Sequence, residues 1–267
     1  MPVGRAHDGN VGRGRRAACL DNHSTDEFRK EIFGSIDVSL SHRVIYVPVM
    51  KAGTQMFAEV LAKRFGAVRM PDRDLLKALR KHHVSLSDFF VFTVVRSPFS
   101  MFRSGYGEMS LYAAHGKIAR TGFALVPQTE ANEPARAIEC LTNVRTGTFS
   151  RLVPAHLFTQ MWKTHRCVGR SPWPLKLSFV GHLENIQADW RFVEQRLGVA
   201  HEPLPRIHSS DTAAERVKAK LMLEFAVEGR FAHLTRAVCD YYRSDFECFG
   251  YDDALCRSLP IVNNTSV

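Results

Sequence analysis

The sequence predicts an α/β domain: a three-layer sandwich with a central parallel sheet between helices. Two observations carry that expectation. Arg43-Val-Ile-Tyr-Val-Pro-Val49 and Phe89-Phe-Val-Phe-Thr-Val-Val95 are short apolar runs rich in β-branched and aromatic residues, as buried strands require. Each is followed by a tight turn and an amphipathic helical pattern, so a strand–turn–helix unit occurs twice. A length of 267 residues with a 45% apolar share fits one substantial domain with its own core.

Residues 1–42 read as a flexible N-terminal arm, and 43–267 as the folded domain. The arm holds Gly-Arg-Gly-Arg-Arg and little hydrophobic periodicity, and its six Lys or Arg are matched by six Asp or Glu. The formal charge of +9 therefore belongs to the body. A basic body suits an anionic nucleotide and an anionic polymer acceptor, and the basic run in the arm is too short to predict nucleic-acid binding. No stretch approaches the roughly 18 apolar residues of a membrane span, and no signal-peptide apolar region is visible.

In the first unit, Thr54 opens a helix whose Phe57, Val60, Leu61 and Phe65 share one face. Gly53 permits a tight backbone, and the helix start presents unpaired N–H groups to an anion. Lys51 adds a full charge and Thr54 a hydroxyl. This is not a nucleoside-triphosphate loop, because the glycine-rich lead-in is missing and the lysine precedes the glycine. In the second unit, Arg96 stands at the C-terminal end of its strand, the edge where ligands bind in open α/β sheets. Ser97-Pro98 reads as N-cap and first helical residue, with Phe99, Phe102, Tyr106 and Met109 as the buried stripe. Ser104 lies about two turns along, within reach of a phosphate held by Arg96.

Between Met109 and Pro154 only Asn132 to Asn143 reads as helix, with Ala135, Ile138 and Leu141 spaced by three; the rest reads as loop that builds an acceptor cleft. Further on, Phe179 to Asn185 leads into a helix from Ile186 to Leu197 with Leu183, Ile186, Trp190, Val193 and Leu197 as core. His208-Ser-Ser210 reads as the lead-in to a helix over Thr212–Glu228, and Phe231 to Tyr242 as a helix packed through Leu234, Val238 and Tyr241. Glu184 reads as a carboxylate at the start of its own helix, and Asp245 and Glu247 as stabilising groups near a helix end. The six cysteines show no zinc spacing, and no metal site is predicted. Cys239, Cys248 and Cys256 cluster near the C-terminus, either as a lumenal disulfide or as reduced thiols.

Taken together, Lys51-Ala-Gly-Thr54 and Arg96-Ser-Pro with Ser104 resemble the 5′-phosphosulfate and 3′-phosphate motifs of sulfotransferases that use 3′-phosphoadenosine 5′-phosphosulfate (PAPS). The nearest likeness is to the Golgi carbohydrate sulfotransferases, the sulfotransferase family 2 group. Phe179-Val-Gly-His-Leu-Glu-Asn185 is similar to that family's F-[VI]-G-x-x-E-x-L/I junction, and Asp245-Phe-Glu-Cys-Phe-Gly-Tyr251 to its D-F-E-x-F-G-Y ending. His156-Leu-Phe-Thr-Gln160 is similar to its H-x-x-P-Q segment. Departures are Met50 for a proline before the lysine, Gln55 for a second Ser or Thr, Ser97 for an aspartate, Met101 for a second arginine, and Thr159 for the proline.

The resemblance implies a P-loop-like sulfotransferase fold. It implies transfer of a sulfuryl group from PAPS to an acceptor hydroxyl, most simply on a glycan, leaving 3′,5′-adenosine bisphosphate. Lys51, Ala52, Gly53, Thr54 and Gln55 would hold the 5′ side, with Lys51 at the leaving oxygen, and Arg96 and Ser104 the 3′-phosphate. His156 matches the family's histidine and would take the acceptor proton; His165, His208 and Glu184 are rivals for that role. The Golgi lumen is the setting the resemblance implies, while the sequence shows no anchor and leaves a cytoplasmic or truncated chain open as well. A nucleotide-dependent phosphotransferase and a non-catalytic glycan-binding protein of the same fold remain alternatives, and the sequence does not fix an oligomeric state.

Overall fold

The computed structural model describes residues 35–114, 133–145, 159–160, 176–205 and 224–260. Five strands form one sheet: β1 (Ser35–Ser39), β2 (Val44–Val47), β3 (Val68–Pro71), β4 (Phe90–Val95) and β5 (Phe179–His182), in the order β3-β1-β2-β4-β5. The helices are α1 (Thr54–Phe65), α2 (Leu75–Lys81), α3 (Pro98–Ala114), α4 (Glu133–Arg145), α5 (Ile186–Leu197), α6 (Ala232–Tyr241), α7 (Arg243–Phe249) and α8 (Ala254–Arg257).

The sheet is mixed rather than wholly parallel. β2, β4 and β5 run parallel, whereas β1 pairs antiparallel with both β2 and β3. β1 also begins inside the segment that the sequence assigns to the arm, so the fold starts by Ser35. Its pattern was hard to read because only Ile36 and Val38 are apolar, and a carboxylate sits between them. Asp37 is tolerated in the buried strand because Arg69, its cross-strand partner in register, grips it with Nε and Nη2 at 2.9 and 2.8 Å.

Strand alternation sorts side chains into two cores. Val44, Tyr46, Phe92 and Val94 face α1 and α5, meeting Phe57, Leu61, Phe65, Trp190 and Val193. Ile36, Val38, Ile45, Val47 and Val91 face the other way, against Leu75 and Leu79 of α2. That two-sided burial makes the β2 and β4 sequences continuous apolar runs rather than alternating ones. A third, helix-only core joins Met101, Phe102, Tyr106 and Met109 of α3 to Ala137, Cys140 and Leu141 of α4 and Leu234 and Val238 of α6. Met101 is fully buried there, which leaves no room for the arginine of the family pattern; exposed Arg103 lies instead over the Phe225 ring.

The C-terminal cysteines are not all reduced. Cys239 is bonded to Cys256, tying α6 to α8, and Cys248 is disulfide-bonded as well. Of the predicted helix over 212–228, residues 212–223 lie outside the described residues, and 224–228 are not helical, Glu228 being extended at φ −129° and ψ 167°. No helix among the described residues is long and apolar enough to cross a membrane.

α1 and α5 are also joined by a buried carboxylate. Glu194 accepts from Arg64 Nη1, from the Glu202 N–H at 2.9 Å and from His201. Burial pushes its carboxyl up, but the bonds from His201, Arg64 and the Glu202 N–H outweigh burial and hold it below the usual carboxylate range. A pKa lower in the folded chain than in the unfolded one adds stability that is complete above the unfolded value of about 4.3 and is lost as pH falls through the folded value. Urea unfolding between pH 7 and pH 3 should therefore show an acid-side loss of stability that is smaller in Glu194→Gln than in the wild type. Identical pH slopes would remove Glu194 as a contributor.

Candidate functional site

β2 and β4 are parallel neighbours, with Val47 opposite Thr93, so both predicted turns leave the same edge of the sheet. After β2 the chain passes through α1 to β3 on one side of the sheet; after β4 it proceeds to β5 on the other. The crevice between the ends of β2 and β4 is thus a topological switch point, the place where open α/β sheets bind ligands. Arg96 Nη1 donates to the Lys51 carbonyl at 3.3 Å, which joins the two turns directly.

The first turn is built by two left-handed residues, Lys51 at φ 67° and Gly53 at φ 79°. The Ala52 N–H donates to the Val49 carbonyl at 3.1 Å, closing the turn, and the Ala52 side chain is buried beneath it. Gly53 is the N-cap of α1. No side chain caps that helix, and its first turn holds no acidic residue. Its leading N–H groups are left to bind an anion, in a field that favours negative charge. Thr54 differs from expectation: its hydroxyl donates to the Val49 carbonyl at 2.7 Å, so its one O–H proton supports the turn and its contribution to an anion is the main-chain N–H. Gln55 is exposed, and its amide donates to Glu59 at 3.3 Å along the helix. Lys51 Nζ, mostly buried, pairs with Glu108 of α3 at 3.1 Å.

The second turn carries a different kind of cation. Arg96 is half-buried, and among the described residues its guanidinium makes one hydrogen bond, to Lys51, and no ion pair. Burial lowers its pKa, opposed by the nearby Glu184 carboxylate, yet a guanidinium stays protonated at any ordinary pH. Several of its five N–H donors are uncommitted. Ser104 is buried on α3, and its hydroxyl makes no hydrogen bond to a described residue. No bond joins Ser104 to Arg96; both carry polar groups available to a third party.

The main chain of this turn is held by side chains from far along the sequence. The Arg96 N–H donates to Gln160 Oε1 and Gln160 Nε2 donates to the Arg96 carbonyl, both at 2.6 Å. The Gln160 N–H donates in turn to Asp245 Oδ2 at 2.8 Å. Glu184 accepts from the Ser97 N–H at 2.7 Å and from the Tyr251 hydroxyl at 3.2 Å. Glu184 therefore caps α3 rather than its own helix, and Asp245, in the first turn of α7, is a stabilising group that holds the Gln160 amide. Burial, reinforced by the Glu184 carboxylate, pushes the Tyr251 hydroxyl well above its usual range, so it stays protonated and donates. His156, His165 and His208 lie outside the described residues.

Sequence reasoning placed Lys51, Ala52, Gly53, Thr54 and Arg96 at one edge, and the structure brings them together. It missed Glu108, which has no motif around it, and the grip of Gln160 on Arg96, since a glutamine's partner 64 residues away leaves no local signal. The arrangement offers a helix N-terminus, a lysine and a guanidinium at one crevice, all groups whose charge or dipole favours an anion.

A family model described as the sulfotransferase family matches residues 35–252. No curated protein matches the chain. No solved structure matches it.

A Cβ on Gly53 would meet Leu183, Met56 and Phe57 only at ordinary contact distances, so the cost of Gly53→Ala is that of the left-handed backbone, about 1 kcal/mol. Gly66, also left-handed at φ 60°, ends α1 in open space and is the control. Both alanine variants should lose similar stability in urea, while only Gly53→Ala should weaken binding of 3′,5′-adenosine bisphosphate. Equal binding by the two variants would contradict an anion site at the first turn.

Proposed function

The chain belongs to the sulfotransferase family, and from that premise we propose that it moves a sulfuryl group from PAPS to a hydroxyl of a carbohydrate acceptor. The observation that supports this most is the half-buried Arg96, whose uncommitted donors share a switch-point crevice with the uncapped start of α1. Two anion receptors at one crevice match a nucleotide charged at both its 5′ and 3′ ends. When bound, PAPS supplies a sulfuryl group already attached to a good leaving group.

The protein's part is to bind, orient and neutralise. The N–H groups at the start of α1, with Gly53 and Thr54 shaping the turn, hold the 5′ side. Lys51 places positive charge where the departing oxygen gains negative charge. Glu108 keeps that ammonium at the mouth of the turn, so an incoming anion competes with its carboxylate for it. Arg96 and Ser104 hold the 3′-phosphate, the guanidinium through charge-assisted hydrogen bonds. His156 accepts the proton of the attacking hydroxyl, because a neutral alcohol is a poor nucleophile. The bridge between Cys239 and Cys256 supports a compartment that oxidises thiols.

Arg96→Ala should weaken 3′,5′-adenosine bisphosphate binding at least tenfold, since hydrogen bonds to charged groups contribute about 1.5–3 kcal/mol. Binding of 5′-AMP should change about twofold or less, and equal losses for both nucleotides would refute the assigned role. His156→Ala should keep bisphosphate affinity while lowering sulfuryl transfer by about 10²–10⁴. Unimpaired turnover would remove His156 as the base.

A further inference from the structure

Gln160, which closes the segment that begins at His156, and Asp245, which opens the C-terminal motif, are given no part in the reaction proposed above, yet Gln160 bonds the Arg96 main chain and Asp245 holds Gln160. β4 stops at Val95, whose partner on β5 is His182, so the Arg96 peptide groups lie beyond the last strand pair. Buried main-chain groups at such a position need partners. The carboxamide of Gln160 supplies both at once, accepting from the Arg96 N–H and donating to the Arg96 carbonyl at 2.6 Å each. It imitates a peptide group on a neighbouring strand, and only an amide side chain offers a donor and an acceptor so arranged.

Gln160 is fixed in its turn. It is fully buried, and its own N–H is held by Asp245, also fully buried, at 2.8 Å. A buried carboxylate is costly unless hydrogen-bonded, so the strand end could have been satisfied more simply by water. What the arrangement adds is angular precision. A small rotation at the Arg96 main chain is amplified at the tip of its long side chain, and a binding constellation needs placement within about 0.5 Å.

We propose that Gln160 and Asp245 are positioning residues: they fix the Arg96 main chain and thereby set the preference for a nucleotide bearing a 3′-phosphate. The consequence for nucleotide choice rests on the Arg96 role proposed above; the grip on the main chain does not.

The test compares wild type with Gln160→Met, which keeps length and removes both polar groups, and Asp245→Asn, which keeps shape and one acceptor oxygen. Calorimetry gives affinities for 3′,5′-adenosine bisphosphate and 5′-AMP, and hydrogen exchange reports the Arg96 amide. Gln160→Met should reduce the preference for bisphosphate over 5′-AMP at least fivefold and speed Arg96 amide exchange at least tenfold relative to the other β4 amides. Asp245→Asn should move both readouts in the same direction by less, and it decides the matter if Gln160→Met does not fold. In an Arg96→Ala background, Gln160→Met should cause no further loss of preference, because it acts through Arg96. A purely structural role would weaken both nucleotides equally and raise exchange throughout the sheet. Folded variants with unchanged preference and unchanged Arg96 exchange overturn the proposal. A wild type with no preference for bisphosphate overturns the Arg96 reading and the selectivity role with it, and the Arg96 exchange rate then decides the grip alone.

Discussion

The main chain at Arg96 is the constraint on which the site depends. A strand that ends at a ligand-binding edge must leave its last peptide groups near the crevice, where no further strand can pair with them. Here one side chain, Gln160, pairs with the Arg96 N–H and carbonyl, and another, Glu184, takes the Ser97 N–H. Lys51 supplies a carbonyl to the guanidinium, and Asp245 and Tyr251 hold Gln160 and Glu184 from the C-terminal segment. Stretches widely separated in the chain thus converge on two consecutive residues. The motifs that look unrelated along the sequence are parts of one support.

The two cations of the crevice are prepared differently. Lys51 is held by Glu108, so its charge is partly balanced before any ligand arrives. Arg96 has no ion pair among the described residues and sits half-buried, where a charge is worth more to an incoming phosphate than it would be in water. A flexible ammonium with a counter-ion suits a place where charge is needed as a bond breaks. A fixed, planar guanidinium suits recognition of a group that stays put.

Much of the fold was legible because burial writes itself into composition. β2 and β4, packed on both faces, read as apolar runs, and α1 and α5 fall where their stripes predict. Strand direction was not legible, since an alternating or apolar run pairs either way; hence a parallel sheet was expected where β1 runs antiparallel to its neighbours. β1 itself escaped notice because Asp37 interrupts it, and the compensating Arg69 is visible only once the strands are paired. At the site, the turn residues announced themselves by type and spacing. Their supports did not: Glu184 looked like the start of its own helix, and Asp245 like the end of another. A carboxylate beside a helix terminus carries no sign of which helix it serves.

Calorimetric titration of the wild-type protein with 3′,5′-adenosine bisphosphate, beside 5′-AMP and ATP, tests the central claim most directly. Two anion receptors at one switch point predict clear selectivity for the bisphosphate, with 5′-AMP weaker by at least about tenfold, the equivalent of 1.4 kcal/mol. Equal affinities for all three, or a preference for ATP, would contradict the assignment of both turns.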